Sequence, residues 1–330
     1  MRSAEPAGME RRYARQIALP EIGAEGQARI EAARILVVGA GGLGCAVLPY
    51  LCGAGVGRIV VVDHDIIEEE NLHRQPLYRV SDVGQRKAEV AHRRLAELNP
   101  AAQIEAACYR LTPENAAALV GASDVVVDCA DSFAVTYTLS DECMRAGKPL
   151  VSASVIALSG YVGVFCGQAP SHRAVFPEMP SHAASCSSAG VLGTAVAVIG
   201  SLQAQMVLSL VLGLQPPVWG KLVSVDVAKW RFGGFSFLSA RERPEPGFTF
   251  IATSQLRADD LVFDLRSADE SPPLADSMRV SVEEIESATA GTVPSQRVVL
   301  CCRSGVRAWR AARKLQARGH TNLALVALGD

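Results

Sequence analysis

The nine cysteines of this 330-residue chain never form a CxxC pair, their number is odd and their spacing is irregular. That pattern excludes a disulfide framework and leaves free thiols, which belong in a reducing compartment. Residues 1–15 are polar and charged and lack the apolar stretch of a secretory signal. Both observations predict a cytoplasmic protein. An excess of one charge is also missing: 32 Lys and Arg against 34 Asp and Glu leave a formal net charge of −2, so no global field favours nucleic acid or a membrane. The chain shows no internal repeat and no low-complexity tract. One apolar run, residues 191–214, is long enough to span a bilayer. Gln203, Gln205 and several small residues interrupt it and no basic cluster flanks it, so it reads as a buried core or dimer-interface helix.

What is present is an alternation of strands and helices. RILVV at 34–38 runs into GAGGLG at 39–44, and RIVVV at 58–62 ends on Asp63. A helix between them completes a βαβ unit with its glycine turn between strand and helix. Apolar runs at 124–129 and 149–153 alternate with helical stretches at 87–98 and 133–146. The fold class is therefore α/β: a parallel sheet covered by helices on both faces. Later strands at 161–165, 222–226 and 229–237 follow one another closely and suit antiparallel pairing, which makes the sheet mixed. SARERPEPG at 239–247 is the linker candidate. Beyond it, strands at 261–265 and 297–301 and a helix at 306–318 predict a small α/β unit. The expected domains are thus 10–238 and 248–330.

Gly39, Gly41 and Gly44 fit GxGxxG, and Asp63 lies nineteen residues beyond Gly44. Glycines let the backbone approach a phosphate chain, the helix N-terminus supplies N–H donors, and Asp63 would accept from ribose hydroxyls. This motif alone fits NAD as well as ATP. The following residues favour ATP: DHD at 63–65, ENLHRQ at 70–75, GQRK at 84–87 and DCADS at 128–132. Attack of a carboxylate on an α-phosphate builds negative charge and expels pyrophosphate. Arg and Lys near the triphosphate stabilise that charge, and an aspartate can hold Mg²⁺.

With RYARQ at 12–16 and AGVG at 54–57, these motifs closely resemble the ThiF, MoeB and HesA family of ubiquitin-activating-like adenylyltransferases over residues 10–235. The resemblance implies a Rossmann-like adenylation domain. Gly42 would line the phosphates, with Gly39, Gly41 and Gly44 in the same turn. Asn71, Arg74, Gln75 and Lys87 would contact the nucleotide, with Arg74 and Lys87 catalytic, and Asp131 would bind Mg²⁺. Arg15 would reach into a neighbouring subunit's ATP site, which implies a homodimer. Ser132 stands where the family usually has asparagine; its hydroxyl still donates a hydrogen bond, so a modest weakening is expected. Cys186, in SCSSAGVLG at 185–193, resembles the cysteine of the family's crossover loop, which can take the activated carboxylate.

Many of these relatives hold structural zinc with two CxxC pairs. The first would fall at 171–174 and the second near 241–247, and neither stretch contains cysteine. His172 and His182 remain, read as solvated loop residues, so no structural zinc is expected.

Cys302-Arg303-Ser304-Gly305-Val306-Arg307 resembles the active loop of rhodaneses, over about residues 248–330. That implies a rhodanese-like domain, in a fusion of the MoeZ type, with a persulfide on Cys302 cradled by backbone N–H groups and flanked by Arg303 and Arg307. Asp264-Leu-Arg266 would brace the loop. Cys301 is a candidate redox partner or a strand-packing residue. The implied reaction is ATP-dependent adenylation of the C-terminal Gly-Gly of a ubiquitin-like sulfur carrier, then sulfur transfer to give a thiocarboxylate. The sulfur would come from a cysteine desulfurase or thiosulfate. The alternative is adenylation of another peptide or small carboxylate, with the small domain only docking a partner.

Overall fold

The computed structural model describes residues 8–180, 190–242 and 247–329. Helices α1 (Gly8–Ile17) and α2 (Gly23–Ala32) lead into β1 (Arg34–Val38), α3 (Gly42–Ala54) and β2 (Arg58–Val62). Then come α4 (Lys87–Leu98), β3 (Gln103–Ala107), α5 (Ala116–Gly121), β4 (Val125–Asp128), α6 (Phe133–Ala146) and the long pair β5 (Pro149–Ile156) and β6 (Ser159–Cys166). A short α7 (His172–Val175), the apolar α8 (Gly193–Leu212), β7 (Lys221–Asp226) and β8 (Arg231–Ser236) complete the first unit.

These eight strands form one sheet in the order β3-β2-β1-β4-β5-β6-β7-β8. The pairs from β3 to β5 are parallel and those from β5 to β8 antiparallel, the mixed sheet expected from the spacing. Strand alternation divides β1 between two cores. Ile35 and Val37 face α3, α4 and α8, whereas Leu36 and Val38 face α5 and α6. Both faces are covered, so β1 carries an unbroken apolar run.

Helix α8 is the apolar segment long enough to cross a membrane, and over half of it is buried against α3 and the sheet. Gln203 explains how an apolar helix carries a buried polar side chain. Its Nε2 donates to the carbonyls of Asp128 at 2.7 Å and Val151 at 3.0 Å, tying α8 to β4 and β5. Each such bond contributes about 1 kcal/mol net, and losing both would strand buried acceptors.

The second unit contains β9 (Thr249–Phe250), β10 (Leu261–Asp264), β11 (Met278–Arg279), α9 (Ile285–Ala288), β12 (Val298–Cys302), α10 (Val306–Ala317) and β13 (Leu323–Ala327). Its five strands are all parallel, ordered β11-β10-β12-β13-β9. Cys301 and Cys302 alternate to opposite faces of β12 and enter different cores. That geometry separates the two thiols and makes Cys301 a packing residue rather than a redox partner.

The two units share a core. Ala134 and Tyr137 of α6 and Met179 pack with Phe248, Phe250 and Trp309. The Tyr137 and Trp309 rings lie 5.2 Å apart. Arg173 lies 4.4 Å from the centre of the Tyr137 ring, pairs with Asp141 at 2.5 Å and donates to the Phe248 carbonyl at 3.1 Å. Two expectations need correction here. His172 is not solvated: it is buried among the rings of Tyr137, Phe165 and Phe176, and burial pushes its pKa down to about 3. The expected linker 239–247 is also not free at its start, because Ala240 packs on the first unit and Glu242 accepts from Ser171 N and Oγ at 2.6 and 2.7 Å. His182 lies outside the described residues.

Candidate active site

Sheet order fixes where a ligand can sit. The chain leaves β1 toward β2 on one side and returns to β4 on the other, so a crevice opens beyond the C-terminal ends of β1 and β4. The glycine turn follows β1, and Asp131 and Ser132 follow β4. Gly39 has φ +98°, and a side chain there would meet the Cys129 carbonyl oxygen at 2.6 Å. A Cβ on Gly44 would collide with the Gly39 carbonyl. These two glycines let the turn fold tightly onto the sheet and leave the N-terminal amides of α3 presented outward. Gly41 is the N-cap of α3 and Gly42 its first residue. At Gly42 a side chain would meet Val196 of α8 at 2.9 Å, so this glycine also serves packing.

Asp63 closes β2 and is buried. Ala40 N donates to its Oδ2 at 2.6 Å and Asp65 N to its Oδ1 at 2.8 Å. Burial pushes its pKa up, against those N–H groups and Lys87. Each oxygen retains a lone pair for a ribose hydroxyl. Tyr78, which the motifs did not single out, donates to the Ala40 carbonyl at 2.7 Å and holds the turn from behind. Its signal in the sequence is only its place just after HRQ.

The cationic set lies on the loop between β2 and α4. Backbone pairing of Lys87 N with the Asp65 carbonyl at 3.0 Å folds that loop back on itself. The Lys87 ammonium meets Asp65 Oδ2 at 2.9 Å, with only 7% of its side chain exposed. Arg74 donates to Asn71 Oδ1 at 2.5 Å and to the Glu70 carbonyl at 3.2 Å. Asn71 donates onward to Glu68 at 3.1 Å. Gln75 is buried, and its Oε1 has no partner. The Gln75 amide stands beside Gly41, its Nε2 3.7 Å from where a Cβ would lie there, and its orphaned acceptor, together with the α3 N-terminus that no side chain among the described residues caps, fits a nucleotide in the crevice.

Among the described residues, three metal-ligating groups converge only at Asp63, His64 and Asp65. Lys87 already pairs with Asp65, and Arg110 donates to His64 Nε2 at 2.7 Å, so cations of the protein fill that cluster. The exposed Asp131 carboxylate suits Mg²⁺, which takes one or two carboxylates plus phosphate oxygens and water. The segments 171–174 and 241–242 do meet, but through Ser171 and Glu242 beside a buried neutral His172. These groups do not fit a thiolate zinc site.

Not every expected residue joins this constellation. Arg15 is exposed on α1, which packs at the far end of α3: Gln16 donates to the Ala54 carbonyl at 3.0 Å, and Tyr13 lies against Gly55. Cys186 falls outside the described residues.

The sequence model of the ThiF family matches residues 13–246. The chain belongs to the ThiF family. The sulfur carrier protein adenylyltransferase of Thermus thermophilus is 44% identical over 241 residues, 71% of this chain and 88% of that protein. The bovine (Bos taurus) adenylyltransferase and sulfurtransferase MOCS3 is 44% identical over 236 residues, 71% of this chain, and the match spans about half (51%) of that protein. Among solved structures, E. coli MccB with ATP superposes with a TM-score of 0.59 at 22% identity, covering 68% of this chain and 71% of MccB. PaaA superposes with a TM-score of 0.58 at 18% identity, covering 72% of this chain and 76% of PaaA. These likenesses confirm the Rossmann-like fold of the family.

A second site lies beyond the matched residues. Cys302 ends β12, and Gly305, with φ +86°, caps α10. The Cys302 sulfur accepts from Gly305 N at 3.1 Å and Ala308 N at 3.4 Å. Burial pushes this thiol up, while those amides and Arg307 pull it back. Arg303 and Ser304 are exposed, whereas Val306 is buried. Asp264 and Arg266 meet at 2.8 Å at the end of the neighbouring strand β10, and their further side-chain bonds go to the segment 271–279. A side chain on Gly305 would lie 3.6 Å from Ala134, so this loop abuts the first turn of α6, just beyond Asp131 and Ser132.

Proposed function

We propose that this chain adenylates the C-terminal glycine of a ubiquitin-like sulfur carrier protein and then delivers sulfur to it from a rhodanese-like C-terminal domain. One observation carries the first step: glycine turn, Asp63, Arg74 and Lys87 converge at the strand ends where the connections from β1 and β4 diverge. The names of the Thermus thermophilus and MOCS3 relatives support the substrate class. A carrier carboxylate oxygen attacks the α-phosphorus of ATP, and the bond to the β-phosphate breaks as pyrophosphate leaves. Arg74 and Lys87 release their present partners to hold the triphosphate, and Asp63 orients the ribose. Mg²⁺, held by Asp131, supplies charge neutralisation when bound.

For the second step, the terminal sulfur of a Cys302 persulfide attacks the acyl carbon and AMP departs with the electron pair. A thiol, Cys186 or another, then attacks the Cys302 sulfur of the acyl disulfide and releases the thiocarboxylate. A cellular thiol resets the resulting disulfide. Such chemistry needs reduced cysteines, and we place the enzyme in the cytoplasm, as a homodimer in which Arg15 serves the partner's site. The second unit's place against the first turn of α6 supports transfer to the adenylate.

A second reading keeps adenylation, of a carrier or another peptide, and makes the C-terminal unit a docking module. The complete burial of Cys302 favours it. Mass spectrometry of ubiquitin-fold carriers ending in Gly-Gly, incubated with ATP and a persulfide donor, separates the two. We expect a thiocarboxylate mass gain that Cys302→Ala abolishes. Undiminished product from that variant would remove the rhodanese step and leave the docking reading.

A further inference from the structure

The last residue of the Cys302 loop is a cation already engaged. Arg307 donates through two nitrogens to Glu270, at 2.6 and 2.5 Å. Glu270 is itself fixed, because Ser267 N and Oγ donate to the same carboxylate at 2.8 and 2.9 Å. Both side chains of the pair are largely shielded, at 32% and 23% exposure. Arg307 holds the Glu270 carboxyl down to about 2, so it is charged throughout the physiological range. Nearby Asp264 is matched by Arg266 at 2.8 Å and Arg279 at 3.6 Å, so it adds little net field. An anion approaching the Cys302 sulfur therefore meets the Gly305 and Ala308 amides, the exposed Arg303, and an Arg307 whose charge is cancelled on site.

We propose that Glu270 sets the donor preference of the Cys302 loop. By pairing with Arg307 it turns the loop away from dianionic sulfane donors and toward donors that carry at most one negative charge. Glu270 is a positioning residue, acting through Arg307. The inference rests on Cys302 being the sulfur acceptor. In the step concerned, the Cys302 thiolate attacks the donor's outer sulfur, a cysteine persulfide bond forms, and the donor's S–S bond breaks. Sulfite, or a sulfinate from a thiosulfonate, leaves with the electron pair. Cyanide then takes the outer sulfur as thiocyanate and the thiolate returns.

The test uses the full chain, with Glu270→Gln and Glu270→Ala, and compares thiosulfate, a dianion, with methanethiosulfonate, a monoanion, cyanide being the acceptor. Coulomb energy is linear in donor charge, so the gain for the monoanion is the square root of that for the dianion. We expect kcat/KM to rise about tenfold for thiosulfate and about threefold for methanethiosulfonate in both variants. Equal gains for the two donors would mean that steric opening, not charge, is the cause and would overturn the proposal. So would unchanged kinetics in variants of a wild type that turns over both donors. Absence of turnover by wild type and variants alike would instead remove the sulfurtransferase reading beneath it, and the proposal with it.

Discussion

Replacing Lys87 with methionine separates a structural from a catalytic role for the buried ammonium. Lys87 lies 2.9 Å from Asp65, with side-chain exposures of 7% and 50%. At an effective dielectric of about 20 the pair attracts by roughly 6 kcal/mol. Burying the ammonium costs several kcal/mol in return, and half-exposed Asp65 regains water once the partner is gone. The two terms nearly cancel, and methionine keeps the aliphatic packing, so stability should change by no more than about 1 kcal/mol. For a chain of this size that is a melting shift below about 4 °C. Catalysis has no such compensation, because charge that develops on the phosphates in the transition state loses a preplaced cation. Loss of one such group costs about 10²–10³ in rate. Carrier-dependent ATP–pyrophosphate exchange, measured beside thermal unfolding, reads both quantities. Exchange within tenfold of wild type would refute the placement of Lys87 at the triphosphate, and a melting drop above about 10 °C would show that its role is structural.

Three further perturbations follow from the packing. Gly44→Ala drives a Cβ into the Gly39 carbonyl, so a fluorescent ATP analogue should lose measurable binding; affinity within threefold of wild type contradicts the tight turn. Asp264→Asn leaves Arg266 and Arg279 without their buried counter-charge and should cost the C-terminal unit about 3 kcal/mol. Hydrogen exchange should then accelerate in β10 and β12 but not in β1 and β4, and uniform protection would argue against the pair's importance. Asp128 is fully buried, and burial raises its carboxyl from about 3.8 to about 6 against bonds from Thr136 and Ser152. Its contribution is therefore complete below about pH 4 and lost as pH rises through about 6, some 3 kcal/mol in all, and Asp128→Asn should flatten the stability profile over that interval.

The parts of the molecule that read directly from sequence are those whose cause is local. RILVV and RIVVV are β-branched runs ended by a glycine turn and an acid, and they form β1 and β2 over the expected residues. The glycine turn and Asp63 sit within a few positions of those strand ends, so placing the strands places them, whereas Asn71, Arg74 and Lys87 lie 9 to 25 residues beyond β2 and are brought back by the loop that Lys87 N closes on the Asp65 carbonyl. The Glu270–Arg307 and Arg173–Tyr137 contacts carry no such signature. Their partners are 37 and 36 residues apart in the chain, in segments with different periodicities, and Glu270, Arg173 and Tyr137 each resemble an ordinary surface or core position. The burial of His172 was illegible for the same reason: the rings that enclose it come from α6, β6 and the end of α7.

Arg15 shows where sequence and a single folded chain must be used together. The resemblance assigns Arg15 to a neighbouring subunit's ATP, and the folded chain supplies a physical reason. Tyr13 and Gln16 anchor α1 at the C-terminal end of α3, and the glycine turn is at its N-terminal end. Thirteen residues of helix at 1.5 Å each put about 20 Å between those ends. An arginine side chain reaches about a third of that distance, so Arg15 cannot serve its own chain's nucleotide without unseating α1 from Ala54 and Gly55. A catalytic role for Arg15 therefore entails a second subunit. Arg15→Ala should slow exchange, and a mixed dimer of Arg15→Ala with Lys87→Met should retain one competent site if the arginine acts across the interface. Loss of activity in that mixed dimer, when each parent is inactive, would refute action of Arg15 across the interface.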